Sequence, residues 1–146
     1  MDLKQLLRGV MLFAGLTDEE LEQVAAICTE KRLQRGEVLA QQGAPGDDLF
    51  IVTNGFLEIS VAGEDNSSKV VVNLGQGQII GEMALIDQGP RSATVRAISD
   101  NAVVQVIRRK DFEKLCEENT RIGYVVMKDI AADLSFKLRH RNLTVG

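Results

Sequence analysis

The sequence predicts a mainly β fold, in which a β-roll lies between N-terminal helices and a C-terminal helix pair. Residues 31–109 contain nine glycines that separate short runs rich in Val, Ile and Leu, a rhythm typical of many short strands. The residues on either side follow helical periodicity instead. With 146 residues, 45% of them hydrophobic and 26% charged, the chain is expected to form a single soluble domain over residues 1–146.

The N-terminal segment, residues 1–30, is predicted to be helical. Thr17 and Glu20 have the spacing of a capping box, in which each side chain accepts a hydrogen bond from the other residue's backbone. Apolar residues then recur on one face, which predicts a helix from about Thr17 to Cys28. Cys28 and Cys116 both lie in helical patterns, and neither has a second Cys or a His at metal spacing, so two buried, reduced thiols are expected.

The strand pattern from Asp48 to Val61 is predicted to form a β-hairpin. Asn54-Gly55 supplies the two residues tolerant of positive φ that a type I′ turn requires. A solvated loop is expected from Gly63 to Ser68, and a final strand from about Ala102 to Ile107. Alternation with a period of two predicts the following inward side chains: Leu57, Ile59, Val61, Val70, Val72 and Leu74.

The C-terminal section, residues 110–140, is predicted to form two helices, the second from about Arg121 to Arg139. One face of that second helix is apolar and must be covered. Two coverings remain open: the chain's own β-roll, or the seam of a parallel homodimer through Met127, Ile130 and Leu134. The residues that step by four along this face are Ile122, Val126, Ile130, Leu134 and Leu138.

Composition argues against several function classes. A net charge of −4 disfavours a broad nucleic-acid face, because phosphate backbones are held by clustered Lys and Arg. The apolar runs are too short for a membrane span, and we expect a cytoplasmic protein. His140 is the only histidine, so a metal-dependent enzyme on a related β-roll is not expected. Nor is a metal or other cofactor.

The segment from Gly81 to Val95 carries the chemistry. Gly81 allows backbone to approach a ligand, and residues 82–86 can form a short helix whose first N–H groups attract an anion. Arg91 follows in a Gly-Pro-Arg-Ser turn, where its planar guanidinium can hold two phosphate oxygens. Glu82 would repel a phosphate, but it can accept a hydrogen bond from a sugar hydroxyl. The segment therefore predicts a site for a sugar phosphate.

This segment resembles the phosphate-binding cassette of cyclic-nucleotide-binding domains, found in catabolite-activator-type regulators, protein kinase regulatory subunits and nucleotide-gated channels. The run from Leu12 to Glu20 and the stretch from Lys31 to Gly55 resemble the opening helices and first strands of the same family. The resemblance covers essentially the whole chain, and it implies the double-stranded β-helix, or jelly-roll, form of the β-roll.

The resemblance also implies roles for individual residues. Gly81 and Ala84 would offer backbone amides, Glu82 would bind the ribose 2′-hydroxyl and Arg91 would bind the cyclic phosphate. Further phosphate contacts would come from Ser92 and Ala93, and an apolar wall for the base from Ile59, Val71, Leu74 and Ile80. The ligand implied by the resemblance is cAMP, and cGMP is the second candidate.

The resemblance is incomplete at the base. In the catabolite activator two polar residues of the long helix reach the base, and an ungapped count places Lys137 and Leu138 there. Only residues 140–146 follow this helix, too few for a helix-turn-helix, so we do not expect a complete DNA-binding regulator. The alternatives are a β-roll scaffold that dimerises without binding nucleotide, or a regulatory domain of a larger channel, kinase or transcription regulator.

Overall fold

The chain divides into a helical unit and a β unit in the computed structural model. The structure describes residues 2–63, 65, 68–87 and 89–145, and at 68–71 and 141–145 it describes the backbone alone. One unit comprises Met1–Ala26 and Glu113–Gly146, and the other comprises Ile27–Phe112.

The helical unit contains the helices on either side of the strands. In chain order they are α1 (Leu3–Arg8), a 3₁₀ turn (Met11–Phe13), α2 (Asp18–Ala26), α3 (Arg109–Glu118, which begins in the β unit) and α4 (Thr120–Val145). The 3₁₀ turn packs on α4, and α1 packs on α2. Among the described residues, no helix is both long and apolar enough to cross a bilayer.

The predicted capping box is confirmed at the start of α2. The Thr17 backbone donates to the Glu20 carboxylate (2.8 Å), and the Glu20 backbone donates to the Thr17 hydroxyl (3.2 Å). Glu20 is buried and also accepts from the Arg121 guanidinium, which donates to the Gly15 carbonyl at 3.2 Å. The Thr17 backbone bond holds the pKa of Glu20 below its usual value against the effect of burial, and Arg121 lowers it further. This cluster ties α2 to α4.

The end of α2 differs from the prediction. The helix ends at Ala26, and Cys28 begins the first strand rather than closing a helix. Helical periodicity in a short apolar run does not distinguish a helix end from a buried strand.

The two cysteine thiols have raised pKa values. Burial raises the pKa of the Cys28 thiol to about 12. Burial also raises the pKa of the Cys116 thiol, which lies in α3, to about 11, and the charge of Glu113 adds to this increase.

The apolar residues of α4 divide between a buried face and an exposed one. Ile122, Val126 and Ile130 are buried within the chain, whereas Leu138 is 65% exposed. Ile130 is therefore not available to a second copy, and the predicted seam is wrong at that position. The prediction assumed a single stripe, but the buried and exposed apolar residues lie on different faces of the helix.

The described part of the β unit contains eight strands. They are β1 (Cys28–Leu33), β2 (Val38–Ala40), β3 (Asp48–Asn54), β4 (Leu57–Ala62), β5 (Ser68–Leu74), β6 (Ile79–Ile80), β7 (Thr94–Ala97) and β8 (Ala102–Arg108). They form two four-stranded antiparallel sheets, one with the order β1-β8-β3-β6 and the other with the order β2-β7-β4-β5, which confirms the β-roll.

The predicted hairpin at Asn54-Gly55 is wrong. β3 pairs with β6 and β8, whereas β4 pairs with β5 and β7, so the chain crosses from one sheet to the other at this point. Gly55 has the positive φ expected (+77°), but Asn54 does not. A Cβ on Gly55 would lie 2.9 Å from the Ala102 Cα. The glycine is required by this close approach as well as by its φ angle.

The predicted alternation of inward and outward side chains in β4 and β5 holds only in part. Leu57 and Leu74 are buried and lie opposite each other, but Val72 is 41% exposed. The pairing of β4 with β5 is regular from Leu57–Leu74 to Ile59–Val72 and shifts only after that pair, so the exposure of Val72 does not come from this irregularity. The side chain of Val70 and part of the predicted 63–68 loop lie outside the described residues.

The core of the roll lies between the two sheets. Its buried members come from both: Leu33, Phe50, Val52, Ile80, Ala102 and Val104 from the first sheet, and Ala40, Leu57, Leu74, Val95 and Ala97 from the second. The candidate cassette connects β6 of one sheet to β7 of the other, so its ends are fixed by this core.

Candidate functional site

A short 3₁₀ turn, Glu82–Leu85, opens the cassette directly after β6. Gly81 caps it in the left-handed conformation (φ +85°, ψ 30°), which favours glycine. A Cβ at this position would lie 2.4 Å from Arg91 Nη1 and 2.9 Å from the Asp48 carbonyl oxygen. The Ala84 amide donates to the Gly81 carbonyl at 2.9 Å. The amide that the resemblance assigns to phosphate is therefore already engaged within the turn.

Backbone contacts clamp the second part of the cassette onto the loop after β2. The Arg91 N–H donates to the Ala44 carbonyl, and the Gly43 N–H donates to the Arg91 carbonyl, both at 2.8 Å. Pro45 and Pro90 form an isolated antiparallel bridge beside them. The position of residue 91 is thus fixed by main-chain bonds that do not depend on its side chain.

The Arg91 guanidinium is held over the start of β3. Its Nη2 donates to the Asp48 carbonyl at 3.0 Å, and its Cζ lies 5.2 Å from the centroid of the Phe50 ring. A Cβ on Gly46 would lie 1.9 Å from Arg91 Nε, so only glycine leaves room for this side chain. Arginine carries five N–H donors, and the Asp48 carbonyl engages one nitrogen, which leaves capacity for a phosphate.

The electrostatics favour an anion beside Arg91. Partial burial lowers the pKa of the guanidinium, while Asp48 and Asp47 act in the opposite direction, and an arginine remains charged in proteins. Burial raises the pKa of the Asp48 carboxyl, and repulsion from Asp47 raises it further. A half-buried cation of this kind pairs strongly with a phosphate, because water screens it less than a surface charge.

The other residues proposed to contact the phosphate and the sugar lie next to Gly81 or Arg91 along the chain. Glu82 is half-buried at the first position of the turn, directly after Gly81. Ser92 is exposed and Ala93 half-buried between Arg91 and β7. The structure thus brings Gly81 into contact with Arg91 and leaves the other candidates on the same two segments.

The predicted base wall lies in the core of the roll. Leu74 and Ile80 are buried members of the core cluster, and Ile59 is partly buried against it. The side chain of Val71 lies outside the described residues, although its backbone is part of β5. Leu74, Ile80 and Ile59 would present an apolar floor rather than an exposed wall.

Lys137 and Leu138 of α4 are the two positions that the ungapped count placed at the base. Lys137 forms an ion pair with Asp133 one turn earlier on the helix (2.9 Å). Leu138 is exposed.

Three residues that contact Arg91 were not predicted from the sequence: Gly46, Asp48 and Phe50. Gly46 lies in the Gly-Ala-Pro-Gly-Asp run that the resemblance includes, so a signal existed, but no role followed from it. Asp48 contributes a backbone carbonyl, which no side-chain pattern reveals. Phe50 resembles any other inward-facing strand residue in the sequence.

Among the described residues no group of three or more His, Cys, Asp or Glu side chains could hold a metal ion.

Comparisons with known proteins show which family and fold the chain resembles. The N-terminal domain of a transcriptional regulator from Streptomyces coelicolor A3(2) has a TM-score of 0.86 at 29% identity, covering 95% of this chain and 94% of that one. The regulatory domain of Toxoplasma gondii PKA, crystallised with cAMP, has a TM-score of 0.71 at 30% identity, covering 77% and 42%.

A cyclic nucleotide-gated potassium channel from Mesorhizobium japonicum is 32% identical over 124 residues, 85% of this chain and 33% of the channel. The chain thus spans about a third of that relative's length. The family model of the cyclic nucleotide-binding domain matches residues 30–119. This chain therefore belongs to the cyclic nucleotide-binding domain family.

Proposed function

We propose that this domain binds a purine cyclic nucleotide, with cAMP preferred over cGMP, and that it acts as a regulatory sensor. The observation that carries the proposal is the half-buried Arg91 guanidinium, held against Gly81 and the Asp48 carbonyl. The Toxoplasma gondii relative that was crystallised with cAMP supports the choice of ligand. In this proposal the domain needs no metal or other cofactor, and it carries out no catalysis.

The cyclic phosphate binds between Gly81 and Arg91 of the cassette. Arg91 supplies the charge, and Ser92 and Ala93 add contacts beside it. The Gly81 amide is the main backbone donor, because the Ala84 amide would have to share a proton that it already donates to the Gly81 carbonyl. Glu82 accepts from the ribose 2′-hydroxyl, which places the sugar beside the 3₁₀ turn.

The base lies over the apolar floor of the roll. Ile59, Val71, Leu74 and Ile80 form this floor in the proposal, and two of them are core residues. A purine that lies on this floor removes its own apolar area from water, which favours binding without selecting between adenine and guanine. The preference for cAMP thus depends on contacts other than the floor.

Ligand occupancy is relayed through α4. A ligand can shift a conformational equilibrium only by its differential affinity for the two states, so α4 must differ between the free and bound domain. The partner in this proposal is a second copy of the chain or a regulated protein. Exposed or half-buried apolar residues on α4 have the alternating spacing of three and four that is typical of two-stranded coiled coils: Tyr124, Met127, Ala131, Leu134 and Leu138.

Calorimetric titration tests the proposed function. The domain is titrated with cAMP, cGMP and 5′-AMP under one set of conditions. We expect both cyclic nucleotides to bind, cAMP more tightly, and 5′-AMP to bind more weakly because its phosphate is not closed into a ring. Heats of dilution alone with both cyclic nucleotides would contradict the proposal and favour the scaffold alternative.

A further inference from the structure

Arg91 reaches the site across the face of an aromatic side chain. We propose that Phe50 is a positioning residue, whose ring holds the Arg91 guanidinium in the orientation needed for phosphate binding. The inference rests on the proposed function, since its purpose is to prepare a phosphate contact. It assigns to a core residue of β3 a role in ligand affinity.

The distance fits a cation–π contact. Arg91 Cζ lies 5.2 Å from the Phe50 ring centroid, and such contacts stabilise a cation within about 6 Å of the centroid. The Nη2 bond to the Asp48 carbonyl is a second, independent contact. A guanidinium held by one hydrogen bond can still rotate about it, and the ring removes much of this freedom.

The ring is itself well fixed. Phe50 is 5% exposed and lies on β3 between two paired strands, opposite Ile80 of β6 and Val106 of β8. A long Arg side chain loses considerable rotamer freedom when it is immobilised on binding. A rigid ring that restrains the side chain beforehand reduces this loss.

Gly46 completes the arrangement by leaving space. Its φ lies outside the left-handed region, so a side chain there is opposed by Arg91 and not by backbone strain. A Cβ would lie 1.9 Å from Nε and 2.4 Å from Cζ. Gly46→Ala therefore displaces the guanidinium from the ring without altering Phe50.

The first test compares Phe50→Leu with Phe50→Tyr by calorimetry. Phe50→Leu keeps an apolar side chain but removes the ring, and we expect cyclic nucleotide binding to weaken about three- to tenfold, the factor expected for immobilising one flexible side chain on binding. Phe50→Tyr keeps the ring and should bind within about twofold of the parent.

A double-mutant cycle separates positioning from a general packing effect. In an Arg91→Ala background, Phe50→Leu should have no further effect on affinity, because the side chain that it positions is gone. Equal weakening by Phe50→Leu in the parent and in the Arg91→Ala background would overturn the proposal.

An NMR measurement tests the contact without any ligand. The Arg91 Nε–H resonance, identified by its loss in Arg91→Lys, should shift in Phe50→Leu, because the ring current is removed, and stay in place in Phe50→Tyr. If Phe50→Leu does not fold, Gly46→Ala should shift the same resonance. An unchanged resonance in the folded variant would overturn the proposal. Failure of the parent to bind either cyclic nucleotide would instead contradict the proposed function, and the NMR result would still decide on the contact.

Discussion

Replacing Arg91 with Ala removes the cationic side chain that we assign to the proposed phosphate site. A hydrogen bond to a charged group is worth roughly 1.5–3 kcal/mol, and each 1.4 kcal/mol is about tenfold in affinity. Loss of one such bond therefore weakens binding by about tenfold to 150-fold, and loss of a second bond of the same strength raises the effect to about 150-fold or more. The fold should persist, because the bonds of residue 91 to Gly43 and Ala44 are made by the backbone.

Two further variants make this prediction specific. Arg91→Lys keeps the charge but not the planar fork, so it should recover little of the lost affinity. Arg96→Ala is the matched control, because it removes the same charge from an exposed position on the neighbouring strand β7, and its affinity should stay within about twofold of the parent. Calorimetry gives the affinities, and thermal unfolding confirms that each variant is folded. If Arg91→Ala binds cAMP and cGMP as tightly as the parent, Arg91 does not hold the phosphate.

Three other variants test separate parts of the account. Gly81→Ala should lower both affinity and Tm, since residue 81 has a φ of +85°; a variant that matches the parent in titration and thermal unfolding would contradict the required conformation. Glu82→Gln should weaken cAMP binding about tenfold but leave 2′-deoxy-cAMP binding unchanged, since the carboxylate binds the 2′-hydroxyl; equal losses for both ligands would exclude this role. Glu20→Gln should lower the free energy of unfolding by about 1–3 kcal/mol at pH 7, because the carboxylate accepts from Thr17 and Arg121. The pKa of Glu20 is lowered in the folded state from its ordinary 4.5, so its contribution is present above that pH and is lost as pH falls through the folded pKa. Denaturant titrations should thus show the parent and Glu20→Gln converging at acid pH, and a constant difference would be inconsistent with the ion pair.

Local signals predicted the fold where the interactions are local. The capping box of Thr17 and Glu20 needs residues three apart, and it is present. The Asn54-Gly55 signal failed because strand pairing is not local: β3 pairs with β8, about fifty residues later. A turn sequence indicates that the chain reverses, but which strands then pair depends on the packing of the two sheets.

The residues of the candidate site also divide into those predicted from one continuous segment and those brought together only by packing. Gly81 and Arg91 were selected from a continuous segment, and the structure brings them into contact. Gly46 and Phe50 lie about forty residues earlier, and their relation to Arg91 exists only once the loop after β2 packs on the cassette. Ile130 was misassigned because apolar spacing on a helix does not distinguish a face buried within the chain from one that is exposed.

A crystal structure of the domain grown with cAMP would show whether Arg91 binds the cyclic phosphate. We expect electron density for the cyclic phosphate within hydrogen-bond distance of the Arg91 guanidinium, with the ribose 2′-hydroxyl donating to the Glu82 carboxylate. Nucleotide bound elsewhere on the chain, with no phosphate contact to Arg91, would contradict this expectation.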